Sequence, residues 1–251
     1  LAQQIERRMG IQLTGSVKCK LESIILGTEP IELQRWLDTL RSTADPGGEW
    51  QSLAEMLTVH ETYLFRDPDQ LEFFRTHFLV PLIAERSKSV SPQLRLWSAA
   101  CATGEEIYTL ALMILRTLED QGELTSTMSG QMTFRRPWSI RLLGTDLSRS
   151  VVRTAESGIY RDFDMGAFRV IEDYYWRYFQ PIDVSAKMGL NNTVEGKVWQ
   201  VRPELRHLIQ FGQFNLLAAT PPAEGFDAIF CRNVLIYFGE ATKRQVFSLI
   251  E

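Results

Sequence analysis

Residues 94–106, LRLWSAACATGEE, decide the fold of this 251-residue chain. Residues 94–99 form the short apolar run that is typical of a buried strand, and small residues follow it as far as Gly104. An apolar stripe at helical spacing then runs through residues 107–118. A strand, a tight turn and a helix in this order predict the first βα unit of a parallel sheet.

Two further segments of the chain repeat this order. Residues 140–144 and 226–231 are apolar runs of strand length, and a helical stripe follows each of them. We therefore predict an α/β fold with a mostly parallel sheet. Because three core strands are few for such a sheet, we expect the natural chain to continue beyond Glu251 with further strands.

The residues that precede this sheet carry helical patterns alone. Asp67 resembles a helix cap, with Gln70 three residues on, and a long apolar stripe follows it. We predict an all-α domain over residues 1–66 and an α/β domain over residues 67–251. Within the second domain, residues 194–201 alternate like a strand, with residues 207–211 as the partner strand. This pattern predicts an antiparallel β-subdomain over about residues 181–212.

The composition is that of an ordinary soluble globular protein. The chain is 45% hydrophobic and 23% charged, with a net charge of −4, which argues against a nucleic-acid binder. No stretch approaches the roughly 20 apolar residues of a membrane span, and the N-terminus lacks the apolar core of a signal peptide. The three cysteines are scattered, so we expect neither disulfides nor a metal site. The cytoplasm is the expected compartment.

The turn after the first strand indicates a class of ligand. A dinucleotide site would use several glycines to seat a pyrophosphate on the helix N-terminus, but this turn contains Gly104 alone. Two glutamates, Glu105 and Glu106, follow it. Carboxylates repel phosphate and suit a ligand with an ammonium and a sulfonium, which favours S-adenosylmethionine over NAD. The alternative is that both glutamates only stabilise the helix N-terminus.

Polar residues follow the later strands as well. Asp146 lies where a carboxylate can accept hydrogen bonds from both ribose hydroxyls of an adenosine, although a helix N-cap explains it better when it is taken alone. Asn215 could place an amide beside the adenine. Arg232 and Asn233 directly follow an apolar strand, where unpaired polar groups are unfavourable. The alternative for Arg232 is a buried arginine that a carboxylate satisfies.

Five segments together resemble the signature blocks of the CheR methyltransferases, in the order of that family. They are residues 60–67 (HETYLFRD), 97–106 (WSAACATGEE) with Tyr108, 158–160 (GIY), 215–217 (NLL) and 226–238 (FDAIFCRNVLIYF). The resemblance covers about residues 50–251. It implies a Rossmann-like S-adenosylmethionine-dependent methyltransferase domain with an inserted antiparallel β-subdomain, preceded by a small all-α domain.

The resemblance also implies roles for individual residues. It makes one set of side chains contacts of S-adenosylmethionine: His60, Thr62, Arg66, Ala100, Glu106, Asp146, Asn215, Leu216, Arg232 and Asn233. It implies that Arg66 and Tyr237 flank the transferring methyl group and the incoming carboxylate. The reaction would methylate glutamate side chains in the cytoplasmic helical region of a methyl-accepting chemotaxis receptor and release S-adenosylhomocysteine. The enzyme would act as a monomer.

Three positions depart from the family pattern. His60 replaces the usual Asn, and Ser148 stands where an acidic residue often follows the ribose-binding aspartate. The helix of residues 17–26 lacks the string of arginines with which many members face acidic receptor helices, and residues 1–45 carry six basic and six acidic side chains. Two alternatives therefore stay open. They are a methyltransferase with another acceptor and a non-catalytic S-adenosylmethionine-binding scaffold.

Overall fold

The structure is a computed structural model that describes residues 1–42, 48–58, 61–163, 166–183 and 197–251. The described chain begins with helices, as the apolar stripes predict. These are α1 (Ala2–Met9), α2 (Gly15–Gly27), α3 (Pro30–Arg41), α4 (Glu49–Leu57), α5 (Pro68–Phe74) and α6 (Val80–Arg86), with a π-helical turn, Arg75–Leu79, between the last two. The α/β part follows α6.

Strands and helices then alternate along the chain. They are β1 (Gln93–Ala99), α7 (Glu105–Asp120), β2 (Leu124–Ser126), β3 (Met132–Phe134), β4 (Ser139–Asp146), α8 (Arg149–Ser157), β5 (Ile159–Asp162), β6 (Phe179–Pro181), β7 (Lys197–Val201), α9 (Pro203–Arg206), β8 (Ile209–Gln213), β9 (Ala228–Phe230) and α10 (Glu240–Ile250). Two short 3₁₀ helices, Asp173–Tyr178 and Leu235–Tyr237, complete the described elements.

The central sheet has four parallel strands in the order β8-β4-β1-β9. The three strands that the sequence predicts are all present, although β9 is shorter than the predicted run of residues 226–231. The chain passes outward from β1 through β4 to β8 and then returns to the other side of β1. Ligands bind where the strand order reverses in this way, at the carboxyl ends of the strands.

The fourth strand corrects one prediction. Residues 207–211 were expected to pair with residues 194–201 in the antiparallel subdomain, but β8 pairs in parallel with β4, with Leu142 opposite Ile209 and Asp146 opposite Gln213. The antiparallel sheet has the order β5-β7-β6 instead, so only β7 lies well inside the predicted insertion, while β5 precedes it and β6 ends at its first residue. Residues 184–196, which include the start of the strand predicted at residues 194–201, lie outside the described residues.

Among the described residues, three apolar clusters support these layers. Helix α7 is buried along most of its length and contacts both the sheet and the helix of residues 68–86. Helices α1 to α4 enclose a cluster of their own, which includes Ile5, Leu40 and Leu53. An all-α domain over residues 1–66 stays a prediction, but its helices pack mainly around this cluster. Leu147 and Tyr237 reach it from the α/β part.

The turn between β1 and α7 depends on Gly104. Its φ is +96°, and a Cβ built there would lie 2.8 Å from the Cβ of Ala155 and 3.1 Å from the hydroxyl oxygen of Tyr160. The Tyr160 hydroxyl donates to the carbonyl of Thr103 at 2.7 Å, so α8 and β5 both press against this turn. Glycine is required here by space as well as by conformation.

We expect Gly104→Ala to lower the free energy of unfolding by about 1–3 kcal/mol beyond the cost of the left-handed conformation, because the new methyl group overpacks against Ala155. Gly122→Ala is the matched control, since Gly122 also has positive φ but has open space around it. Denaturant unfolding measures both variants. Equal losses of stability would show that close packing at this turn does not matter.

Candidate functional site

A cleft of about 360 Å³ opens at the carboxyl ends of the parallel strands. Every predicted site residue within the described ranges lines it: Thr62, Arg66, Ala100, Glu106, Asp146, Asn215, Leu216, Arg232, Asn233 and Tyr237. The remaining predicted residue, His60, lies outside the described residues. The structure therefore brings together residues from five separate segments, which no local pattern in the sequence could join.

Asp146 lies at the end of β4 and is 8% exposed. Its Oδ2 accepts a hydrogen bond from the backbone N–H of Ala102 and its Oδ1 accepts one from that of Ser148, both at 3.0 Å. The explanation of Asp146 as a helix cap is wrong, because Ser148 is the N-cap of α8 and its hydroxyl accepts from the N–H of Val151. A carboxylate oxygen can accept more than one hydrogen bond, so a ligand hydroxyl could join these donors.

The two glutamates of the β1–α7 turn have different environments. Glu106 lines the cleft, and its Oε1 accepts a hydrogen bond from the Ser98 hydroxyl at 2.7 Å. Glu105 is buried and accepts from the Thr103 hydroxyl at 2.7 Å. Burial raises the pKa of both carboxyl groups, while Ser98, Arg232 and Arg66 act in the opposite direction on Glu106. A cationic ligand in the cleft would therefore find Glu106 as a desolvated partner.

Arg232 joins the loops around the cleft. Its Nη2 donates to the carbonyl of Arg66 at 2.8 Å and to Oδ2 of Asp67 at 3.0 Å. Its Nε lies 3.4 Å from Oε2 of Glu106 as an ion pair, but without hydrogen-bond geometry. Arg232 is thus a largely buried arginine that pairs with carboxylates, which was the alternative interpretation of this residue from the sequence. Asp67 occupies the N-cap position of α5, as predicted, but its carboxylate makes no cap hydrogen bond and pairs with Arg232 instead.

Arg66 lies at the end of a loop that is fixed at both sides. Its Nη1 donates to the carbonyl of Glu61, and the Glu61 carboxylate pairs with Arg169 at 3.1 Å. The Arg169 guanidinium stacks over the ring of Tyr63, 3.5 Å from the centroid. Within the loop, the N–H of Phe65 donates to the Thr109 hydroxyl on α7 at 2.9 Å. These contacts hold the Arg66 backbone at the rim of the cleft.

Backbone conformation marks the same loops. Among the described residues, five that are not glycine have positive φ, and all five lie in the loops that form the site: Phe65, Asp67, Ala100, Ala102 and Asn233. Such conformations cost on the order of 1–3 kcal/mol each and cluster at active sites and ligand clamps. The strain agrees with a site that is preformed for a ligand.

Sequence reasoning missed several residues that build this cleft. The Tyr160 hydroxyl donates to the carbonyl of Thr103 in the β1–α7 turn, and the Ser98 hydroxyl donates to the Glu106 carboxylate. The helical region contributes lining residues as well: Met9, Ile11, Ser16, Lys20, Ala54, Glu55, Leu57 and Thr58. The GIY block was a signal for Tyr160, but nothing in the local sequence marked the helical residues.

The part of the chain that the structure describes offers two further observations. No group of three or more His, Cys, Asp or Glu side chains in it is arranged to hold a metal ion. Among the same residues, no helix combines the length and the apolar character that a membrane crossing requires.

The cysteines beside the cleft should be poorly reactive. Burial raises the pKa of Cys231 to about 11 and that of Cys101 well above its usual range, with the charges of Asp146 and Glu106 adding to the second effect. At about pH 8, only about one Cys231 thiol in a thousand is therefore the reactive thiolate. Cys19 is exposed.

Near pH 8, we expect a thiol reagent to modify Cys19 rapidly and the other two cysteines slowly. The rate at which Cys231 is labelled should rise as the pH approaches 11. Mass spectrometry of quenched samples measures the sites, and Cys19→Ser should remove the fast phase. Fast modification of Cys101 or Cys231 near pH 8 would contradict the buried environment.

Comparisons with known proteins agree with this geometry. Residues 60–251 match the family described as CheR methyltransferase, SAM binding domain. The chain is 34% identical over 200 residues to a chemotaxis protein methyltransferase of Escherichia coli, covering 79% of this chain and 58% of that protein. It is 31% identical over 200 residues to chemotaxis protein methyltransferase 1 of Pseudomonas aeruginosa, covering 80% and 63%.

A third relative matches the helical region too. The chain is 30% identical over 244 residues to an uncharacterized 104.1 kDa protein of Rhodobacter capsulatus, which covers 97% of this chain and 20% of that protein. The chain spans about six tenths of the length of the chemotaxis methyltransferases given above. Because residues 60–251 match the S-adenosylmethionine-binding domain of the CheR methyltransferases, the chain belongs to the CheR methyltransferase family.

Proposed function

We propose that this chain is a protein-glutamate O-methyltransferase that transfers a methyl group from S-adenosylmethionine to glutamate side chains of chemoreceptors. The observation that carries the proposal is the placement of Asp146 and Glu106 in one cleft with Arg66 at its rim. The family match and the relatives that are named chemotaxis protein methyltransferases support the choice of reaction. The cytoplasmic helical region of a receptor would be the substrate, which would place the reaction in the cytoplasm.

The donor set of the cleft fits S-adenosylmethionine. Asp146 can accept from the ribose hydroxyls while it keeps both backbone hydrogen bonds. The buried Glu106 carboxylate suits the ammonium of the methionyl part. Asn215 uses one N–H on the carbonyl of Arg8 at 2.9 Å, which leaves its second N–H for the adenine. The β1–α7 turn contains Gly104 alone rather than a glycine-rich cradle for a pyrophosphate, so NAD is not expected to bind there.

When bound, S-adenosylmethionine would supply a sulfonium-linked methyl group to a nucleophilic oxygen in line with the carbon–sulfur bond that breaks, with S-adenosylhomocysteine as the leaving group. A glutamate substrate has a free pKa of about 4.3 and is already an anion at neutral pH, so the chain needs no general base. We propose that Arg66 orients the incoming carboxylate through a charged hydrogen bond and that the ring of Tyr237 borders the sulfonium. Orientation and exclusion of water can contribute up to roughly 7–11 kcal/mol to such a step.

Asp146→Ala should weaken the binding of S-adenosylhomocysteine by about 1–3 kcal/mol, the range for the loss of a charged hydrogen-bond partner. Calorimetry on the folded variant measures the change. Asp120→Ala is the control, because that carboxylate pairs with Arg116 at the far end of α7. Unchanged affinity in Asp146→Ala would remove this residue from the cofactor site.

Incubation with methyl-labelled S-adenosylmethionine and receptor fragments tests the reaction itself. We expect base-labile label on glutamate, and Arg66→Ala should lower kcat/KM by about 100-fold because the carboxylate loses its orienting partner. Arg66→Lys should recover little, since an ammonium cannot reproduce the geometry of the guanidinium.

Arg75→Ala is the control for charge removal, because Arg75 pairs with Glu72 on α5 and does not line the cleft. Near-normal turnover by Arg66→Ala would contradict the orienting role. Binding of the cofactor without transfer to any receptor fragment would contradict the enzyme and indicate a scaffold.

A further inference from the structure

Residues 8–12, which we call the strap, comprise the last two residues of α1 and the three that follow it, and they cross the carboxyl edge of the sheet. They lie outside the family match, which begins at residue 60. Met9 and Ile11 are 4% and 2% exposed and both line the cleft. The Arg8 guanidinium stacks over the ring of Trp50, 4.9 Å from the centroid, and so fixes the strap to the helical cluster.

The strap contacts two of the segments that carry proposed site residues. The carbonyl of Arg8 accepts from the side-chain amide of Asn215 at 2.9 Å. The backbone N–H of Gln12 donates to the carbonyl of Tyr237 at 2.8 Å, and Ile11 forms an antiparallel bridge with Phe238. More than 200 residues of chain separate the strap from these partners, so the contacts are purely tertiary.

Gly10 allows the strap to approach this closely. Its φ is +73°, and its N–H donates to the carbonyl of Glu6 at 2.8 Å to end α1. A Cβ built at Gly10 would lie 2.7 Å from Cγ2 of Thr242, 3.2 Å from Cδ1 of Phe238 and 3.3 Å from Cδ2 of Leu217. Any larger residue would therefore push on the segment after Asn215, the segment after Tyr237, and α10 together.

We infer that the strap is a positioning element of the active site and that Gly10 sets the positions of Asn215 and Tyr237 by allowing this close contact. The inference rests on the proposed function, because it assigns those two residues to the cofactor and the transferring methyl group. It also makes a claim that needs no ligand. The segments of residues 215–217 and 235–238 are held by the strap, and they loosen when it is displaced.

Gly10→Ala tests the inference. We expect the dissociation constant of S-adenosylhomocysteine to rise about tenfold, since small displacements of positioning groups have effects of this size or larger. We also expect faster amide hydrogen exchange in residues 215–217 and 235–238 of the ligand-free protein. Gly15→Ala is the matched control, because Gly15 has positive φ but nothing near its Cβ position. It should bear the stability cost of the left-handed conformation but keep the wild-type affinity and the wild-type exchange in both segments.

A second substitution provides a rescue. Thr242→Ser removes the methyl group that lies 2.7 Å from the new Cβ, so Gly10→Ala with Thr242→Ser should recover part of the affinity and of the exchange protection. Thr242→Ser alone should bind like the wild type. The double variant also remains testable if Gly10→Ala does not fold.

The outcomes separate the two proposals. A lower melting temperature with unchanged affinity and unchanged exchange in both segments would overturn the positioning role and leave the proposed function intact. If the wild type itself binds no S-adenosylhomocysteine, the proposed function fails. The exchange comparison then still decides whether the strap holds the two segments.

Discussion

The geometry of the cleft depends on the contacts that the Arg232 guanidinium makes. This group reaches the carbonyl of Arg66, the carboxylate of Asp67 and the carboxylate of Glu106, and the side chain is only 10% exposed. The pair with Asp67 is half-exposed and adds little, whereas the pair with Glu106 is largely buried. A buried pair adds little net stability, but removal of one partner costs about 3–5 kcal/mol because the remaining charge is left unpaired. The role of Arg232 is therefore geometric. It fixes the loop after β9 against the loop that carries Arg66 and against the first turn of α7.

The parallel sheet supplies the framework for this contact. Because β1, β4, β8 and β9 run in one direction, their carboxyl ends deliver Ala100, Asp146, Asn215 and Arg232 to one edge. Backbone hydrogen bonds continue beyond the ends of the strands. The N–H of Cys101 donates to the carbonyl of Thr145, and the N–H of Phe214 donates to the carbonyl of Asp146. The strained loops are thus held by rigid elements before any ligand arrives, which is how a site keeps a fixed geometry.

The sequence predicted the α/β class and the three core strands because each strand carries a local apolar pattern followed by a helical one. It failed at β8, where only Ile209 is buried and residues 210–213 are not, so that no continuous apolar run marked a parallel strand and residues 207–211 were taken as the partner of the alternating residues 194–201. The motifs predicted which residues line the cleft, since family blocks mark them. The strap escaped prediction for a physical reason: its contacts join residues 8–12 to residues 215–238, and Gly10 shows no local pattern that would indicate what it packs against.

A crystal structure of the chain with S-adenosylhomocysteine tests the central claim most directly, namely that the edge of the sheet is built for this cofactor. We expect the ribose hydroxyls to lie within hydrogen-bond distance of the Asp146 carboxylate and the ammonium to lie beside Glu106. We also expect Arg232 to keep its contacts with Asp67 and Glu106. A ligand bound outside the cleft, or one whose ribose makes no hydrogen bond with Asp146, would contradict this assignment of the cofactor site.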